Sequence, residues 1–220
     1  MASGGGESCA RTMRASGAVK YQLNRHASRR PKSAAEHLLG EPPVAQHRAR
    51  VADSTGGVPW PVEGRRADPR AIRQLEDSYC GCACALMLMQ MLGIKPLPTQ
   101  DELSRLGEGM YFSVESLREA LNELCAHTEY ANTWRGGWVA DPGTSAEQWS
   151  MARRLSTPGP WIANFWLPRE PVGHFLVVTG VDQERLEILD PRPGECYWMS
   201  RSDFSSYWNG QAVFSFRRTV

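Results

Sequence analysis

The sequence lacks any apolar run of about 20 residues, the length that a membrane-spanning helix needs. Its N-terminus also lacks the continuous apolar core of a secretory signal peptide. We therefore expect no membrane span and no Sec-type export. Cysteine is too sparse for a disulfide scaffold, with six in 220 residues, and three of these crowd at Cys80, Cys82 and Cys84, where pairing geometry is poor. A reducing compartment, the cytoplasm, is the expected location.

Aromatic residues are scarce in the first 70 positions, where Tyr21 and Trp60 are the only ones. The same stretch holds twelve Lys or Arg and six Asp or Glu. Such a composition cannot bury enough apolar surface to offset the entropy of the chain. We predict that residues 1–68 form a disordered basic tail or linker and that residues 69–220 form the folded domain. Because the tail has neither interleaved aromatics nor a folded platform, we expect no nucleic-acid partner.

The most informative stretch is Gln74 to Gly93, QLEDSYCGCACALMLMQMLG. After a short polar loop it turns apolar on every helical face, which is typical of a buried helix, and Gly93 is the expected stop. Cys80 stands at the first turn of this helix. The helix dipole and the unpaired backbone N–H groups there favour the thiolate, which is the nucleophilic form. We therefore predict that Cys80 is a nucleophile.

The remaining elements are weaker helices followed by strands. Capping residues Thr99, Ser113 and Ser145 predict the starts of three helices. These helices are expected at 100–106, 114–125 and 146–155. Short runs of β-branched and aromatic residues predict strands at 161–166, 174–180, 185–190, 195–199 and 212–216, with a short helix near 201–208 before the last. Helices followed by an antiparallel sheet make an α+β fold.

His174 and His127 are the two histidines of the predicted domain, and His174 opens a strand. If the hairpin turns about Asp182, His174 lies directly opposite Asp190, with the two Cβ atoms roughly 4.5–5.5 Å apart. A carboxylate there can hold one imidazole nitrogen and leave the other facing a thiol. Gln74, six residues before Cys80, can donate to an oxyanion together with the backbone N–H of Cys80.

A zinc site is the competing interpretation of the sulfur and imidazole groups. Its candidate ligands are Cys80, Cys82, Cys84, Cys125 and His127. On a helix, however, Cys82 points away from Cys80 and Cys84, and its neighbours are Ala, Leu and Met. We therefore expect no metal and no organic cofactor, and we interpret His127 as structural.

The spacing of these residues resembles that of the papain-like cysteine peptidases over roughly residues 70–218. The motifs that carry the resemblance are Gln74-x₅-Cys80-Gly81-x-Ala83-Cys84, Gly173-His174-Phe175 and Asp190-Pro191. They are similar to the peptidase domain that removes double-glycine leader peptides in bacteriocin-exporting transporters, to its free-standing relatives, and to papain-like effector proteases of plant pathogens. The resemblance implies a papain-like fold, with a helical half around the buried helix packed on an antiparallel sheet.

By the same resemblance Cys80 is the nucleophile and His174 the general base and acid. Asp190 orients the imidazole, Gln74 is the oxyanion donor, and Cys84 is a packing residue. The implied reaction is hydrolysis of a peptide bond through a covalent acyl-enzyme, by a monomer acting on a protein or peptide. Effector-like secretion by a non-Sec route stays open.

Three alternatives are left open by the residues. The same site could run deamidation or another acyl transfer, as in an effector or toxin, or the fold could be a non-catalytic binding module. Cleavage of the chain itself after Gly57, in the pair Gly56-Gly57, is a further hypothesis. The thiol of Cys82 raises the question of redox control, although a small buried side chain is its simpler interpretation.

Overall fold

The computed structural model describes residues 58–107, 111–141, 145–166 and 173–216. Its helices are α1 (Cys80–Met91), α2 (Gln100–Ser104), α3 (Val114–Leu124), α4 (Ser145–Ser156) and α5 (Arg201–Tyr207). Its strands are β1 (Glu63–Ala67), β2 (Trp134–Trp138), β3 (Trp161–Trp166), β4 (Gly173–Val181), β5 (Arg185–Asp190), β6 (Glu195–Ser200) and β7 (Trp208–Ser215).

The strands form one antiparallel sheet in the order β1-β6-β5-β4-β3-β7-β2. Side chains of α1, α2 and α3 share one apolar cluster with one face of this sheet. Side chains of α4 and α5 share a second cluster with the opposite face. The predicted α+β class, with a buried helix packed on an antiparallel sheet, is confirmed. The sheet is covered by helices on both faces.

Helix α1 is the buried helix that the sequence predicts. Every residue from Cys80 to Met89 is buried, so no face of its first ten residues reaches solvent. The helix ends as expected at Gly93, whose φ of 68° lies in the left-handed region. The N–H of Ile94 then bonds to the carbonyl of Met89 at 2.9 Å, which closes the C-terminal turn. Because α1 packs against β4, its first residue lies beside the strand that carries His174.

Most element boundaries agree with the sequence prediction to within one or two residues. Thr99 and Ser113 cap α2 and α3 as expected, each accepting a hydrogen bond from a backbone N–H of the first turn. Ser145 instead belongs to the first turn of α4. Strand β2 was not predicted, because its sequence WRGGW has two central glycines and no alternating pattern.

The predicted boundary of the tail at residue 68 is wrong. Residues 58–67, which we call the N-terminal strap, pack on the domain: β1 pairs with β6, and Trp60 is only 2% exposed. The ring of Trp60 lies against Phe165 and Tyr207, at centroid distances of 5.2 and 5.7 Å. The burial of one tryptophan and the pairing with the edge of β6 hold the strap on the domain, although the segment has few apolar residues. Residues 1–57 of the predicted tail, with Gly57, lie outside the described residues.

The predicted register of the β4–β5 hairpin is also wrong. Val177 pairs with Leu189 and Val181 with Leu186, with an irregularity between Val178 and Gly180. The turn therefore lies beyond Asp182, whose side chain accepts hydrogen bonds from the backbone N–H groups of residues 184 and 185. The shift of two residues makes His174 and Asp190 diagonal neighbours instead of directly opposed ones. Diagonal pairs remain within reach of long and aromatic side chains.

None of the helices in the described part of the chain has the length and apolarity required to cross a bilayer.

If the strap belongs to the folded core, truncating its tryptophan must be costly. We expect Trp60→Ala to lower the free energy of unfolding by about 3–5 kcal/mol, because it empties a fully packed site. Trp138→Ala is the matched control, since Trp138 is 57% exposed, and it should cost about 1 kcal/mol or less. Urea denaturation followed by circular dichroism measures both values. Equal costs for the two variants would contradict the packing of the strap.

Candidate active site

Cys80 is the first residue of α1 and is 7% exposed. The imidazole of His174 and the backbone N–H groups of Phe175 and Gly81 lie close enough to its thiol to lower the pKa of that thiol. The first turn of a helix also carries backbone N–H groups without intrahelical partners and the positive end of the dipole. The thiol therefore sits among donors, an environment that suits a thiolate.

His174 is the second residue of β4 and is 2% exposed. Its Nε2 lies 2.9 Å from Oδ1 of Asp190. A carboxylate can only accept, so Nε2 carries a proton, and Nδ1 is the nitrogen left for Cys80. The imidazole thus has one nitrogen committed to the carboxylate and the other available to the thiol.

Asp190 ends β5 and is 1% exposed, and both of its carboxylate oxygens are hydrogen-bonded. Oδ1 accepts from His174 and from the backbone N–H of Arg192, each at 2.9 Å. Oδ2 accepts from the hydroxyl of Tyr197 at 2.9 Å. Its backbone carbonyl accepts from the N–H of Gly194 at 3.0 Å. The carboxylate therefore cannot rotate without losing a bond.

These contacts set the proton affinities of the pair. Burial alone would raise the pKa of the Cys80 thiol, but the hydrogen bond and the charge of His174, with the two backbone N–H groups, hold that pKa below its ordinary value. Burial likewise opposes protonation of His174, yet the charge and hydrogen bond of Asp190 and the contact with Cys80 raise the pKa of His174 to about 9. Both shifts favour a thiolate beside an imidazolium over a thiol beside a neutral imidazole.

Gln74 lies in the loop before α1 but does not offer a free amide hydrogen. Its Nε2 donates to the backbone carbonyls of Glu76 and Asp77, at 2.8 and 3.0 Å, while its Oε1 is buried without a partner. The backbone N–H of Gln74 donates to the carbonyl of Pro191 at 2.8 Å, which ties this loop to the residue after Asp190. As it stands, the side chain organises the loop and does not point a donor at an oxyanion.

The other sulfur groups that the zinc hypothesis invoked are poor ligands. Burial raises the pKa of Cys82 to about 12 and that of Cys84 well above its ordinary value. Burial also raises the pKa of Cys125. All five cysteines of the described segments are buried free thiols. Within those segments there is no group of three or more Cys, His, Asp or Glu arranged to hold a metal.

A groove of about 410 Å³ adjoins the loop of Gln74. It is lined by residues 73–77 and by Arg192, whose backbone N–H holds Asp190. Both signs of charge are present, since Arg73 and Arg192 line it together with Glu76 and Asp77. The groove therefore offers a partly polar surface next to the candidate triad.

The fold is that of a papain-like cysteine peptidase domain. The peptidase domain of ComA from Streptococcus, a bifunctional ABC transporter of a quorum-sensing pathway, superposes with a TM-score of 0.52 at 21% identity, covering 67% of this chain and 97% of that one. A double-glycine motif protease from an AMS/PCAT transporter, solved with its leader peptide, gives a TM-score of 0.45 at 18% identity, covering 70% and 91%.

In sequence, part of the chain matches a known family model. Residues 143–219 match the model of the Peptidase C39 family. A cysteine protease effector of Escherichia coli O1:K1:H7 is 30% identical over 165 residues, which are 74% of this chain and 30% of the relative. This chain thus spans less than a third of the length of that relative. The predicted resemblance is confirmed, and the matched family model and the relative, both cysteine peptidases by name, support the predicted enzyme class.

Two residues next to the candidate triad were not predicted from the sequence. Tyr197 could have been found: β5 and β6 pair Ile188 with Tyr197, which sets Tyr197 on the same face as Asp190. Trp60 donates from Nε1 to the hydroxyl of Tyr197 at 2.9 Å, and its ring lies 6.0 Å from that of His174. No local pattern signals this second contact, because 137 residues separate the partners.

The thiolate–imidazolium pair predicts an unusual pH dependence for alkylation. The pair forms above the lowered pKa of Cys80 and is lost as the pH rises through about 9, where His174 deprotonates. We expect the rate of Cys80 alkylation by iodoacetamide, plotted against pH, to rise in an acidic limb that lies at lower pH than for ordinary thiols. The rate should change a second time near pH 9, where His174 loses its proton. In His174→Ala the acidic limb should move to higher pH, because the cation is gone. Peptide mass mapping of the label measures this, and identical limbs in both proteins would contradict the pairing.

Proposed function

We propose that this protein is a cysteine peptidase that cleaves protein or peptide substrates through a Cys80-His174-Asp190 triad. One observation carries the proposal. A thiol at a helix N-terminus meets an imidazole whose other nitrogen is held by a buried carboxylate with both oxygens occupied. This arrangement supplies an activated nucleophile, a proton carrier and an orienting group in one place.

In the first half-reaction the Cys80 thiolate attacks the scissile carbonyl and forms a carbon–sulfur bond. The imidazolium of His174 then gives its Nδ1 proton to the leaving amine as the carbon–nitrogen bond breaks, which leaves a thioester and a neutral imidazole. In the second half-reaction His174 takes a proton from water, whose oxygen attacks the thioester. Thiolate leaves, the acid product departs, and the imidazolium is restored.

The negative charge on the tetrahedral carbonyl oxygen needs donors. The backbone N–H of Cys80 at the start of α1 is one, because first-turn N–H groups lack intrahelical acceptors. Gln74 remains the proposed second donor, and to act it must release one of the carbonyls of Glu76 and Asp77. Such rearrangement is compatible with catalysis, since catalytic hydrogen bonds often form only in the substrate complex.

The proposed setting follows from the same chemistry. Buried free thiols suit a reducing compartment, and similarity to an effector supports delivery to such a compartment by a non-Sec route. We propose a monomer that binds an extended segment of its substrate along the groove beside Gln74. Cleavage needs no organic cofactor in this scheme, because the three side chains supply the nucleophile and both proton transfers.

A peptide-library digest tests the reaction directly. We expect the wild-type chain to generate new N-termini at a consensus site and Cys80→Ala to generate almost none, because the covalent intermediate cannot form. Cys82→Ala is the matched control and should keep nearly normal turnover, since Cys82 is a buried neutral thiol two residues away. Ammonia release without new termini would replace hydrolysis by deamidation. Equal digests from wild type and Cys80→Ala would end the assignment.

The role of Gln74 has its own test. Loss of one oxyanion donor costs about 10²–10³ in kcat. We expect Gln74→Ala to show a loss of this size with little change in KM. Steady-state kinetics on a peptide from the digest separates the two constants. A change in KM alone would mean that Gln74 only shapes the loop, as its bonds to Glu76 and Asp77 do in the free protein.

A further inference from the structure

A chain of buried hydrogen bonds runs from the N-terminal strap to the candidate triad. Nε1 of Trp60 donates to the hydroxyl of Tyr197, the hydroxyl donates to Oδ2 of Asp190, and Oδ1 of Asp190 accepts from His174, each at 2.9 Å. The four side chains are each 2% exposed or less. Water therefore has little access to replace any link.

The direction of this chain follows from the donor groups. An indole N–H can only donate, so the oxygen of Tyr197 must accept from Trp60. The single hydrogen of that hydroxyl is then free to point at Asp190, whose carboxylate can only accept. Burial and the charge of Asp190 raise the pKa of Tyr197 well above its ordinary value, so the hydroxyl keeps its proton. Trp60 thus fixes the polarity of the bond that Asp190 receives.

The carboxylate depends on that bond. A buried anion is tolerated only when its oxygens are paired, and the hydroxyl of Tyr197 is the partner recorded for Oδ2 among the described residues. The opposite oxygen is occupied by His174 and the backbone N–H of Arg192. With Oδ2 released, the carboxylate could turn away from the imidazole, and the imidazolium would lose its support.

We propose that Tyr197 and Trp60 are positioning residues of the triad, and that the N-terminal strap is therefore part of the catalytic machinery. Tyr197 holds Asp190 ionised and oriented toward His174, and Trp60 acts through Tyr197 while its ring covers the imidazole at 6.0 Å. This inference rests on the proposed function, because it assigns a role within the same triad. Trp60 is far from Asp190 in sequence, but only two hydrogen bonds separate them.

The test uses the full chain and four single variants. Tyr197→Phe removes one hydroxyl, and Trp60→Phe removes the indole donor. Tyr207→Phe and Trp161→Phe are the matched controls: Tyr207 also packs on Trp60, and Trp161 is a buried donor to Ser156 in the same cluster. The readouts are kcat, KM, the melting temperature and the pH dependence of Cys80 alkylation.

We expect Tyr197→Phe to lower kcat about tenfold with KM nearly unchanged, the loss of one hydrogen bond to a charged group. The acidic limb of the alkylation profile should move to higher pH, because a less supported imidazolium favours the thiolate less. The second change in the profile, which reports deprotonation of His174, should move below pH 9. Trp60→Phe should shift both limbs in the same directions by less. The controls should leave the limbs in place, whatever they do to the melting temperature.

Other groups near the triad must be held constant in this comparison. Cys84 acts on the triad by charge from α1, Tyr197 contacts it from β6, and Arg65 of β1 acts on Tyr197 by its charge. None of them is altered by Trp60→Phe. Because this variant leaves every group that contacts Asp190 in place, it carries the test by itself if Tyr197→Phe does not fold.

The double variant, Trp60→Phe with Tyr197→Phe, distinguishes a hydrogen-bond chain, in which Trp60 acts through Tyr197, from two independent effects. If Trp60 acts through Tyr197, Trp60→Phe should lower kcat no further in a Tyr197→Phe background. Additive losses, or a fall in melting temperature with unmoved limbs, would overturn the positioning role. A wild-type protein without a low-pH limb would instead overturn the proposed function itself, so the two failures are distinguishable.

Discussion

The hydrogen bond between His174 and Asp190 is the contact on which the rest of the structure depends. Both side chains are almost fully buried, and a charge pair at such a site is stable only with good geometry and satisfied remaining atoms. The backbone N–H of Arg192 and the hydroxyl of Tyr197 supply that satisfaction. As a result one imidazole nitrogen is committed to the carboxylate, and the other is available to the thiol of Cys80.

Helix α1 supplies the second constraint. A helix that is apolar all round has one stable position, inside the protein, and this one lies against β4. Its N-terminus then falls beside His174, where a thiol meets backbone donors and a cation. Burial raises the pKa of Cys82 and Cys84, whereas His174 and the nearby backbone N–H groups outweigh burial at Cys80 and make it the one thiol of the helix with a lowered pKa. The selection among three closely spaced cysteines is thus electrostatic.

Much of this arrangement could be predicted from local patterns. The apolar helix, the strand that His174 opens and the strand that Asp190 ends each have a strong local signal, and their contact survived an error of two residues in register. That error arose because the turn lies beyond Asp182, and neither the position of the turn nor the irregularity near Gly180 can be predicted from alternation. The strap was missed because one buried tryptophan is diluted by charged and proline residues around it. The side-chain amide of Gln74 donates to backbone carbonyls of its own loop, and the six-residue spacing from Cys80 does not predict this loop geometry.

The architecture links distant parts of the chain at one carboxylate. β4 brings His174, β5 brings Asp190, β6 brings Tyr197, and the strap that flanks β6 brings Trp60. A sheet with β5 between β4 and β6 can gather these side chains on one face because diagonal neighbours on adjacent strands stay within reach. The opposite face of the sheet then receives α1.

The protonation state of His174 at neutral pH tests the central claim most directly. In protein labelled with ¹⁵N at histidine, long-range ¹H–¹⁵N correlation spectra at pH 7.5 report whether one or both ring nitrogens carry a proton. Because the pKa of His174 is raised to about 9 and that of Cys80 is lowered, we predict an imidazolium with both nitrogens protonated. A neutral imidazole at that pH, with one nitrogen bare, would contradict the account.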